Sequence, residues 1–181
     1  MKESVTDDWV HENCQRGTIV MWNGKKKAVT FSYDDGVTQD RRLVEMMNTY
    51  GVKGTFNLNS GMQSYANVWE HPKGLLIHRM NTEGLKELYQ GHEIAAHCLT
   101  HADLPQYDEE TIRNEILEDK KNLEERFGQP VVGMAYPFGT YNDTVVDIAL
   151  CLWYPLFPYG RADRKFWTSG RAADTESNLP S

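Results

Sequence analysis

The feature that most restricts the fold is an alternation of strand-like and helix-like stretches along the chain. The strand candidates are short runs rich in β-branched and aromatic residues. The helix candidates between them carry apolar residues three and four positions apart. Strand followed by helix, repeated several times, indicates a parallel α/β sheet or a (β/α) barrel. The predicted strands are 28–33, 54–58, 93–97 and 131–136, and 59–80 is predicted to be a loop. The predicted helices are 38–50, 108–127, 143–152 and a short one that is capped by Asn81 or Thr82, runs through Leu85, Leu88 and Tyr89, and is stopped by Gly91.

The composition excludes two classes of partner. With 181 residues the chain is long enough for one domain with a buried core. Its formal net charge of −7 argues against binding to nucleic acid or to an anionic membrane surface, since both attract basic faces. No apolar run approaches the ~20 residues of a membrane span. We therefore expect neither a nucleic acid partner nor a membrane span, and the composition predicts no particular oligomeric state.

The two ends of the chain lack the strand–helix pattern. Residues 1–26 are polar and irregular and contain no apolar segment typical of a signal peptide, which favours a cytoplasmic location. The three cysteines are odd in number and widely separated, which is typical of reduced thiols. We predict an irregular segment at 1–26, a domain at 27–152 and an atypical tail at 153–181.

Polar residues stand at the carboxyl ends of three predicted strands. Asp34 and Asp35 follow the first strand, and His97 ends the third, with His101 in the loop after it. A Tyr-Pro-Phe-Gly turn at 136–139 follows the fourth. Because the reactive groups of such folds gather at the carboxyl ends of the strands, we expect these residues to meet at one edge of the sheet.

The two histidines have a spacing that suits a metal ion. His97 and His101 are separated by three residues, in H-C-L-T-H. Two imidazoles at this spacing can bind one ion in a helical turn or in a tight loop, although such a pair alone also occurs without metal. With one carboxylate they make the three-ligand set of a catalytic zinc, which leaves one position for water. His92 and His97 imitate the zinc-protease pattern H-E-x-x-H with one residue too many, so His92 is predicted to be a turn residue.

The adjacent carboxylates need an electrostatic explanation. Neighbouring strand residues point to opposite faces, so Asp34 and Asp35 can meet one substrate only where the strand ends and bends. Gly36 permits such a bend. The two carboxylates repel each other unless a cation neutralises them; a metal bound by Asp35 would supply that cation and leave Asp34 free to act as a base. The alternative is an N-cap or Asx-turn pair that opens the helix at Thr38.

Three motifs together resemble the polysaccharide deacetylases with a NodB-type domain, carbohydrate esterase family four. They are T-F-S-Y-D-D-G at 30–36, H-C-L-T-H at 97–101 and A-Y-P-F-G at 135–139, in the family's order. The resemblance covers about 27–150 and implies a deformed (β/α) barrel. It also implies metal-dependent removal of an acetyl group from N- or O-acetylated carbohydrate, which makes an acetylated carbohydrate the expected partner.

The same resemblance implies roles for the residues at the strand ends. Asp35, His97 and His101 would bind a divalent metal, usually zinc. Asp34 would be the general base that takes a proton from water. The backbone N–H of Phe138 would help to stabilise the oxyanion of the reaction.

The third motif would also contact the substrate. Tyr136, Pro137 and Gly139 are the expected substrate-binding residues, with Gly139 letting the chain pass close by. The aromatic side chains of Tyr136, Tyr141 and Trp69 would either stack on sugar rings or pack in the core.

The sequence departs from the family pattern in two places. The family's third motif usually opens with an arginine that positions the base, and here that position is Ala135. The family also places a general-acid histidine near its C-terminus, and no histidine follows His101 here. Beyond residue 152 the periodicity disappears, and Pro155 and Pro158 are hostile to an interior strand. We therefore expect a barrel that is incomplete at its C-terminus, through a frameshift or a truncated gene.

These departures leave three functions open. The first is a polysaccharide deacetylase, and the second is a catalytically impaired pseudoenzyme of the same fold that binds metal or sugar. The third is a metal-dependent amidase for a small non-sugar amide, which would use the same ligands. A two-carboxylate glycosidase is disfavoured, because adjacent residues do not readily give the ~5 Å or larger carboxyl separation that its chemistry needs.

Overall fold

The computed structural model describes residues 29–153, so the predictions for 1–26 and for 154–181 lie outside the described residues. The chain divides into two units, Met1–Phe31 and Ser32–Ser181. Residues 29–31 of the first unit have no regular secondary structure. The second contains strands β1 (Ser32–Asp34), β2 (Thr55–Leu58), β3 (Val68–His71), β4 (Leu75–His78) and β5 (Glu93–Ala96), and helices α1 (Asp40–Thr49), α2 (Leu85–Leu88), α3 (Glu109–Phe127) and α4 (Asp143–Trp153).

A parallel sheet forms the centre of this unit. Its strand order is β1-β2-β5, and both pairings are parallel. Asp34 at the end of β1 lies beside Asn57 of β2. A parallel bridge between Ala96 and Met134 adds a fourth chain segment next to β5. The carboxyl ends of these segments therefore meet at one edge, as the strand–helix alternation predicts.

Two of the predicted strands are shorter than expected. The strand predicted at 28–33 begins only at Ser32, and the one predicted at 131–136 makes a single bridge at Met134. The second difference has a clear cause, because side chains of α3 bind the backbone of Val131 instead. Glu124 Oε1 accepts a 3.0 Å hydrogen bond from Val131 N, and Lys120 Nζ donates a 2.9 Å bond to Val131 O. The helical pattern of 108–127 predicts these two charges on a solvated face, whereas in the structure they hold the end of this segment to the helix.

The predicted loop at 59–80 contains a β-hairpin. Strands β3 and β4 pair antiparallel across a turn in which Gly74 has a φ of +76°. Most of its side chains, including Leu75 and Leu76, are exposed. Because no residue of either strand is buried, the sequence lacks the alternation that marks a half-buried strand.

The helices follow the predictions more closely. Asp108 caps α3 by accepting a 2.8 Å hydrogen bond from Thr111 N, and Gly128, with a φ of +67°, ends it. In α1 the spacing of Leu43, Met46, Met47 and Tyr50 predicts one buried apolar stripe. This prediction is partly wrong, because Met46 and Tyr50 are exposed while Asp40 is buried. In α3 the spacing predicts one apolar face, and its four residues are buried: Ile112, Ile116, Leu123 and Phe127.

Two packed clusters support the sheet. One joins β2, β5, α1, α2 and the second half of α3, with Phe56 and Leu58 fully buried. The other packs Cys98 and Leu104, from the segment after β5, against α3 and α4. Cys98 and Cys151 are both free thiols. None of the helices within 29–153 combines the length and the apolar character needed to cross a membrane.

The buried carboxyl of Asp40 gives the fold a pH dependence. Burial raises the pKa of Asp40 to about 6, although the hydroxyl of Tyr89 donates a 2.6 Å hydrogen bond to its Oδ2. Because the pKa lies above the unfolded value of 3.8, ionisation of Asp40 opposes folding. The contribution of protonated Asp40 to the free energy of unfolding is therefore complete below pH 3.8 and is lost as the pH rises through about 6. The shift corresponds to about 3 kcal/mol.

The variant Asp40→Asn tests this dependence. We expect the unfolding free energy of the variant, minus that of the wild type, to increase by about 2–3 kcal/mol between pH 4 and pH 7, because only the wild type has to ionise this buried carboxyl. Urea unfolding in the presence of a chelator measures both values. Burial also raises the pKa of Asp119 to about 6, so only the difference between the two proteins isolates Asp40. A difference that is the same at both pH values would contradict the assignment.

Candidate metal centre

Three of the predicted site residues come together at the edge of the sheet. The ligand atoms of Asp35, His97 and His101 all lie within 4.8 Å of one another. Asp35 follows β1 and His97 follows β5, which places them at the carboxyl ends of the two strands on either side of β2. The loop after β5 then brings His101 Nε2 to 3.6 Å from Asp35 Oδ1. The structure therefore brings one carboxylate together with two imidazoles that come from a distant part of the sequence.

His97 has its ring fixed by the backbone. Its Nδ1 lies 2.8 Å from the carbonyl oxygen of Ala135, which can only accept, so Nδ1 carries the proton. Nε2 then keeps its lone pair for a ligand. The ring of His101 stands edge-on to it, at 4.9 Å between centroids and 73° between planes. Such a hydrogen bond on the far nitrogen is the usual support of a metal-binding histidine.

His101 is biased towards its neutral form. Burial lowers its pKa, and the neighbouring His97 and Arg79 lower it further, while Asp35 acts in the opposite direction. A neutral imidazole is the form that binds a metal, because a protonated ring has no lone pair to give. The electrostatic surroundings of His101 therefore favour a ligand over a cation.

Sequence reasoning missed an arginine that contacts Asp35. Arg79 follows the hairpin, and its Nη2 lies 2.7 Å from Asp35 Oδ1. Its Nη1 donates to the backbone oxygen of Asp35 at 2.8 Å. The sequence predicts a metal as the cation that neutralises the aspartate pair, and the buried guanidinium of Arg79 already supplies part of that neutralisation. No local pattern in L-L-I-H-R-M marks Arg79, because its role depends on where the hairpin returns.

Asp34 is oriented by an asparagine. Asn57 Nδ2 donates a 2.6 Å hydrogen bond to Asp34 Oδ1 and a 2.8 Å bond to Ser32 Oγ. Asn57 is buried in β2, whereas Asp34 is exposed at the end of β1. Ala135 cannot supply the donor that an arginine would give, and Asn57 reaches the same carboxylate from the neighbouring strand. A polar residue inside T-F-N-L was the sequence signal for it.

Two buried carboxylates of α3 hold the histidine loop. Asp119 Oδ2 accepts from His97 N at 2.9 Å, and its Oδ1 accepts from Ser60 N at 2.6 Å. Glu115 accepts from Thr100 N at 2.9 Å and from Thr100 Oγ1 at 2.7 Å. Both acids lie one helical turn apart on the buried face, within the apolar stripe of α3. Acidic residues inside an apolar stripe are the sequence signal that marks these two positions.

Several residues of the site have a left-handed backbone conformation, which is strained for residues other than glycine. Four described residues other than glycine have a positive φ: Asp35 (78°), Cys98 (63°), His101 (58°) and Phe138 (59°). All four belong to the candidate site or to its loop. Such conformations persist where surrounding contacts hold them, and they are commonest at functional sites. Gly36 continues the bend with a φ of +65°, and a Cβ there would lie 2.8 Å from Gln63 Oε1.

The third motif lies beside the histidines. The ring of Phe138 stands edge-on to His101 at 4.5 Å, and Phe138 is 68% exposed. Pro137 is buried, and Tyr136 packs against the second core cluster and against Tyr141 at 5.4 Å. Within the described residues a Cβ on Gly139 would meet no atom within 4 Å, so its φ of +68°, rather than a close approach, calls for glycine there.

The remaining histidines have other environments. His92 is buried, where its Nδ1 accepts from Gly54 N at 3.2 Å and its Nε2 lies 3.2 Å from Asn48 Oδ1. His78 stacks on Tyr65 at 4.1 Å in the hairpin region. His11 lies outside the described residues. His92 therefore supports the turn where it was predicted, and it is not part of the metal cluster.

The donor set fits a divalent cation. Two imidazoles and one carboxylate, with an exposed Asp34 beside them, make the three-ligand arrangement in which a further position stays open to water or substrate. The fixed tautomer of His97 supports the same conclusion. Nitrogen and oxygen donors of this kind suit zinc and several other divalent metals.

Sequence comparisons place these residues among known proteins. Residues 22–157 match the model of the family described as polysaccharide deacetylase. The chain is 24% identical over 152 residues to the putative polysaccharide deacetylase YxkH of Bacillus subtilis (strain 168), which covers 78% of this chain and 50% of the relative. It is 26% identical over 127 residues to a chitin deacetylase of Pestalotiopsis sp, with 70% and 39% covered. The chain thus matches half or less of the length of these two relatives.

Solved structures show the same fold. The deacetylase PplD of Streptococcus pyogenes, in complex with acetate, has a TM-score of 0.63 and 24% identity, covering 83% of this chain and 62% of that one. BA3943 of Bacillus anthracis, a pseudoenzyme of carbohydrate esterase family four, has a TM-score of 0.55 and 22% identity, covering 71% and 42%. At these identities the likeness establishes the fold alone. The predicted (β/α) barrel of the NodB type is confirmed as the fold, and the described residues form part of such a barrel.

Proposed function

Because the chain belongs to the polysaccharide deacetylase family, we propose that it is a metal-dependent hydrolase that removes acetyl groups from N- or O-acetylated carbohydrate. The observation that carries the proposal is the cluster of Asp35, His97 and His101 with Asp34 next to it. Neither the ligand set nor the adjacent carboxylate would by itself select a deacetylase. Their combination on this fold supports that chemistry.

Asp35, His97 and His101 are the proposed metal ligands, and zinc is the proposed metal. When bound, such an ion lowers the pKa of water towards ~7 and polarises the acetyl carbonyl. The neutral form of His101 and the fixed tautomer of His97 support this assignment.

Asp34 is the proposed general base. Its carboxylate, held by Asn57, takes a proton as water attacks the acetyl carbon. When the tetrahedral intermediate collapses, the bond from carbon to the sugar nitrogen or oxygen breaks, and acetate leaves. The proton on Asp34 can then pass to that nitrogen or oxygen. The carboxyl group of Asp34 thereby accepts the proton from water and later donates it to the leaving nitrogen or oxygen.

The turn at 136–139 is the proposed oxyanion and substrate segment. The backbone N–H of Phe138 would donate to the oxygen that becomes negative, and Tyr136, Pro137 and Gly139 would line the acetyl group. Thr140 Oγ1 donates a 2.5 Å hydrogen bond to Asp103 Oδ1, which fixes this turn to the histidine loop. A rigid donor aimed at a developing charge is among the largest contributions to such catalysis.

The proposed substrate is an acetylated carbohydrate, which accords with the chitin deacetylase among the relatives. The exposed aromatic side chains of Trp69 and Tyr141 would offer flat apolar faces to sugar rings.

A second candidate function is a pseudoenzyme that keeps the metal or sugar site. Ala135 favours it, because it stands where the family resemblance implies an arginine that positions the base. The fold neighbour BA3943 is itself described as a pseudoenzyme.

Acetate release after metal loading tests the proposal. Purified protein is stripped with a chelator, reloaded with zinc or cobalt, and incubated with chitooligosaccharides, peptidoglycan and acetylated xylan. We expect acetate from at least one substrate only after reloading. His101→Ala, purified in the same way, is the control for contaminating hydrolases. Metal binding without acetate above that control on any substrate would favour the pseudoenzyme.

A further inference from the structure

A buried polar bridge joins the two halves of the candidate metal centre. Asp35 comes from the end of β1 and the histidines come from the loop after β5, and Arg79 with Asn59 lies between them. We infer that Arg79 and Asn59 are positioning residues that assemble the metal centre before the ion arrives. The inference rests on the proposed metal-dependent function and adds two residues to it.

Arg79 holds both the side chain and the backbone of Asp35. Arg79 is 4% exposed, and its guanidinium makes three hydrogen bonds. Two reach Asp35, at Oδ1 and at the backbone oxygen, and the third reaches Asn59 Oδ1 at 2.7 Å. Trp69 covers the guanidinium at 5.4 Å from its ring centroid. The flat fork of an arginine can hold such separate acceptors in one geometry, which a lysine cannot.

Asn59 carries the connection to the histidine loop. It is fully buried, and its Nδ2 donates to the backbone oxygens of His97 and, at 2.8 Å, of Cys98. Its Oδ1 is already used by Arg79, so both ends of the amide are engaged. The path from Asp35 through Arg79 and Asn59 to His97 is therefore a continuous series of hydrogen bonds.

This arrangement bears on metal affinity. Asp35 and Cys98 both have a positive φ, so neither chain segment would hold its shape without outside contacts. Outer hydrogen-bond partners that orient metal ligands typically contribute 10–100-fold to affinity. A guanidinium near a cation site also repels the ion, and removing that repulsion alone would tighten binding. The two effects have opposite signs, so a measurement of affinity distinguishes them.

The test compares Arg79→Met, Arg79→Lys and Asn59→Ser with the wild type. Dissociation constants for zinc and cobalt are measured by competition with a chromophoric chelator, and the visible absorption of the cobalt protein is recorded. We expect each variant to bind about 10–100-fold more weakly and to show an altered cobalt spectrum. Arg79→Lys is expected to resemble Arg79→Met, because it keeps the charge and loses the fork.

A double-mutant cycle tests the bridge itself. Arg79→Met combined with Asn59→Ser is expected to lose less affinity than the sum of the single losses, because either change breaks the same path. Thermal unfolding in chelator checks that each variant folds. If Arg79→Met does not fold, the cycle is made with Arg79→Lys and Asn59→Ser instead. Arg42→Met, which removes an exposed arginine of α1, is the matched control and should bind metal as the wild type does.

Three results would overturn the inference. Unchanged or tighter metal binding by the folded Arg79 variants would show that the guanidinium does not position Asp35. Additive losses in the cycle would show that the two residues act separately. A wild type that binds no divalent metal would overturn the inference and the proposed function together. If the wild type bound metal and released no acetate, only the proposed hydrolase activity would be contradicted, since the affinity measurements do not depend on turnover.

Discussion

The variant Asp34→Asn is expected to lose about 10²–10⁴-fold in kcat for acetate release while it still binds zinc. Asparagine has nearly the same shape, and its side-chain oxygen can still accept from Asn57 Nδ2, so the end of β1 should be preserved. Its amide has no affinity for the proton that the attacking water loses. Steady-state acetate release and the zinc dissociation constant, measured on the same preparation, check this prediction.

The combination of these two measurements is what identifies a base. Asp35→Asn, which alters a proposed ligand one residue away, should lose metal affinity and activity together. Glu45→Gln, an exposed carboxylate of α1, should change neither. If Asp34→Asn lost zinc binding to the same extent as activity, Asp34 would be a ligand or a structural residue, and the proposed division between the two aspartates would be wrong.

The second large effect is expected at Asp119, which lies outside the proposed reaction. In Asp119→Asn the side chain offers one acceptor where the carboxylate offers two, so the N–H of His97 or of Ser60 loses its partner. A buried donor left unsatisfied costs about 1–3 kcal/mol. We expect the unfolding free energy to fall by about that amount and metal affinity to fall at least about tenfold, because the His97 backbone is no longer held. Urea unfolding in chelator and metal competition measure the two effects.

A neighbouring acid on the same helix provides the control. Glu118 forms an exposed pair with Lys121 at 2.7 Å. The change Glu118→Gln should alter stability by less than about 0.5 kcal/mol and leave metal affinity unchanged, since exposed ion pairs contribute little. Equal effects of Asp119→Asn and Glu118→Gln would show that the bond to His97 N has no part in holding the loop.

The sequence predicts the parts of this fold that depend on local pattern. Helix α3 has an N-cap, an apolar stripe and a terminal glycine, and it lies within two residues of the predicted bounds. The meeting of Asp35, His97 and His101 follows from parallel strand order, since residues after such strands share one edge. The bounds of α3 follow from the periodicity of its sequence. The meeting of the three ligands follows from the parallel direction of the strands.

The contacts that support the site could not be predicted in the same way. Arg79 and Asn59 act through the return of the hairpin and through the loop after β2, and neither position has a periodic signal. The strand expected at 131–136 was lost to Lys120 and Glu124, whose side chains bind Val131 in place of a neighbouring strand. Tertiary hydrogen bonds of this kind depend on distances between segments that a single sequence does not encode locally.

The parallel order of β1, β2 and β5 also determines when the site can form during folding. Parallel pairs cannot close by a tight turn, so each pairing must first bring together segments separated by a whole helix or hairpin, which is slow relative to helix formation. Helix α3, with its local cap, can form early and present Asp119 and Glu115. Asp35 and His97 come into register only after both β1–β2 and β2–β5 have paired. The capacity to bind metal therefore requires both pairings, and a nascent chain that stops before β5 lacks two of the three proposed ligands, His97 and His101.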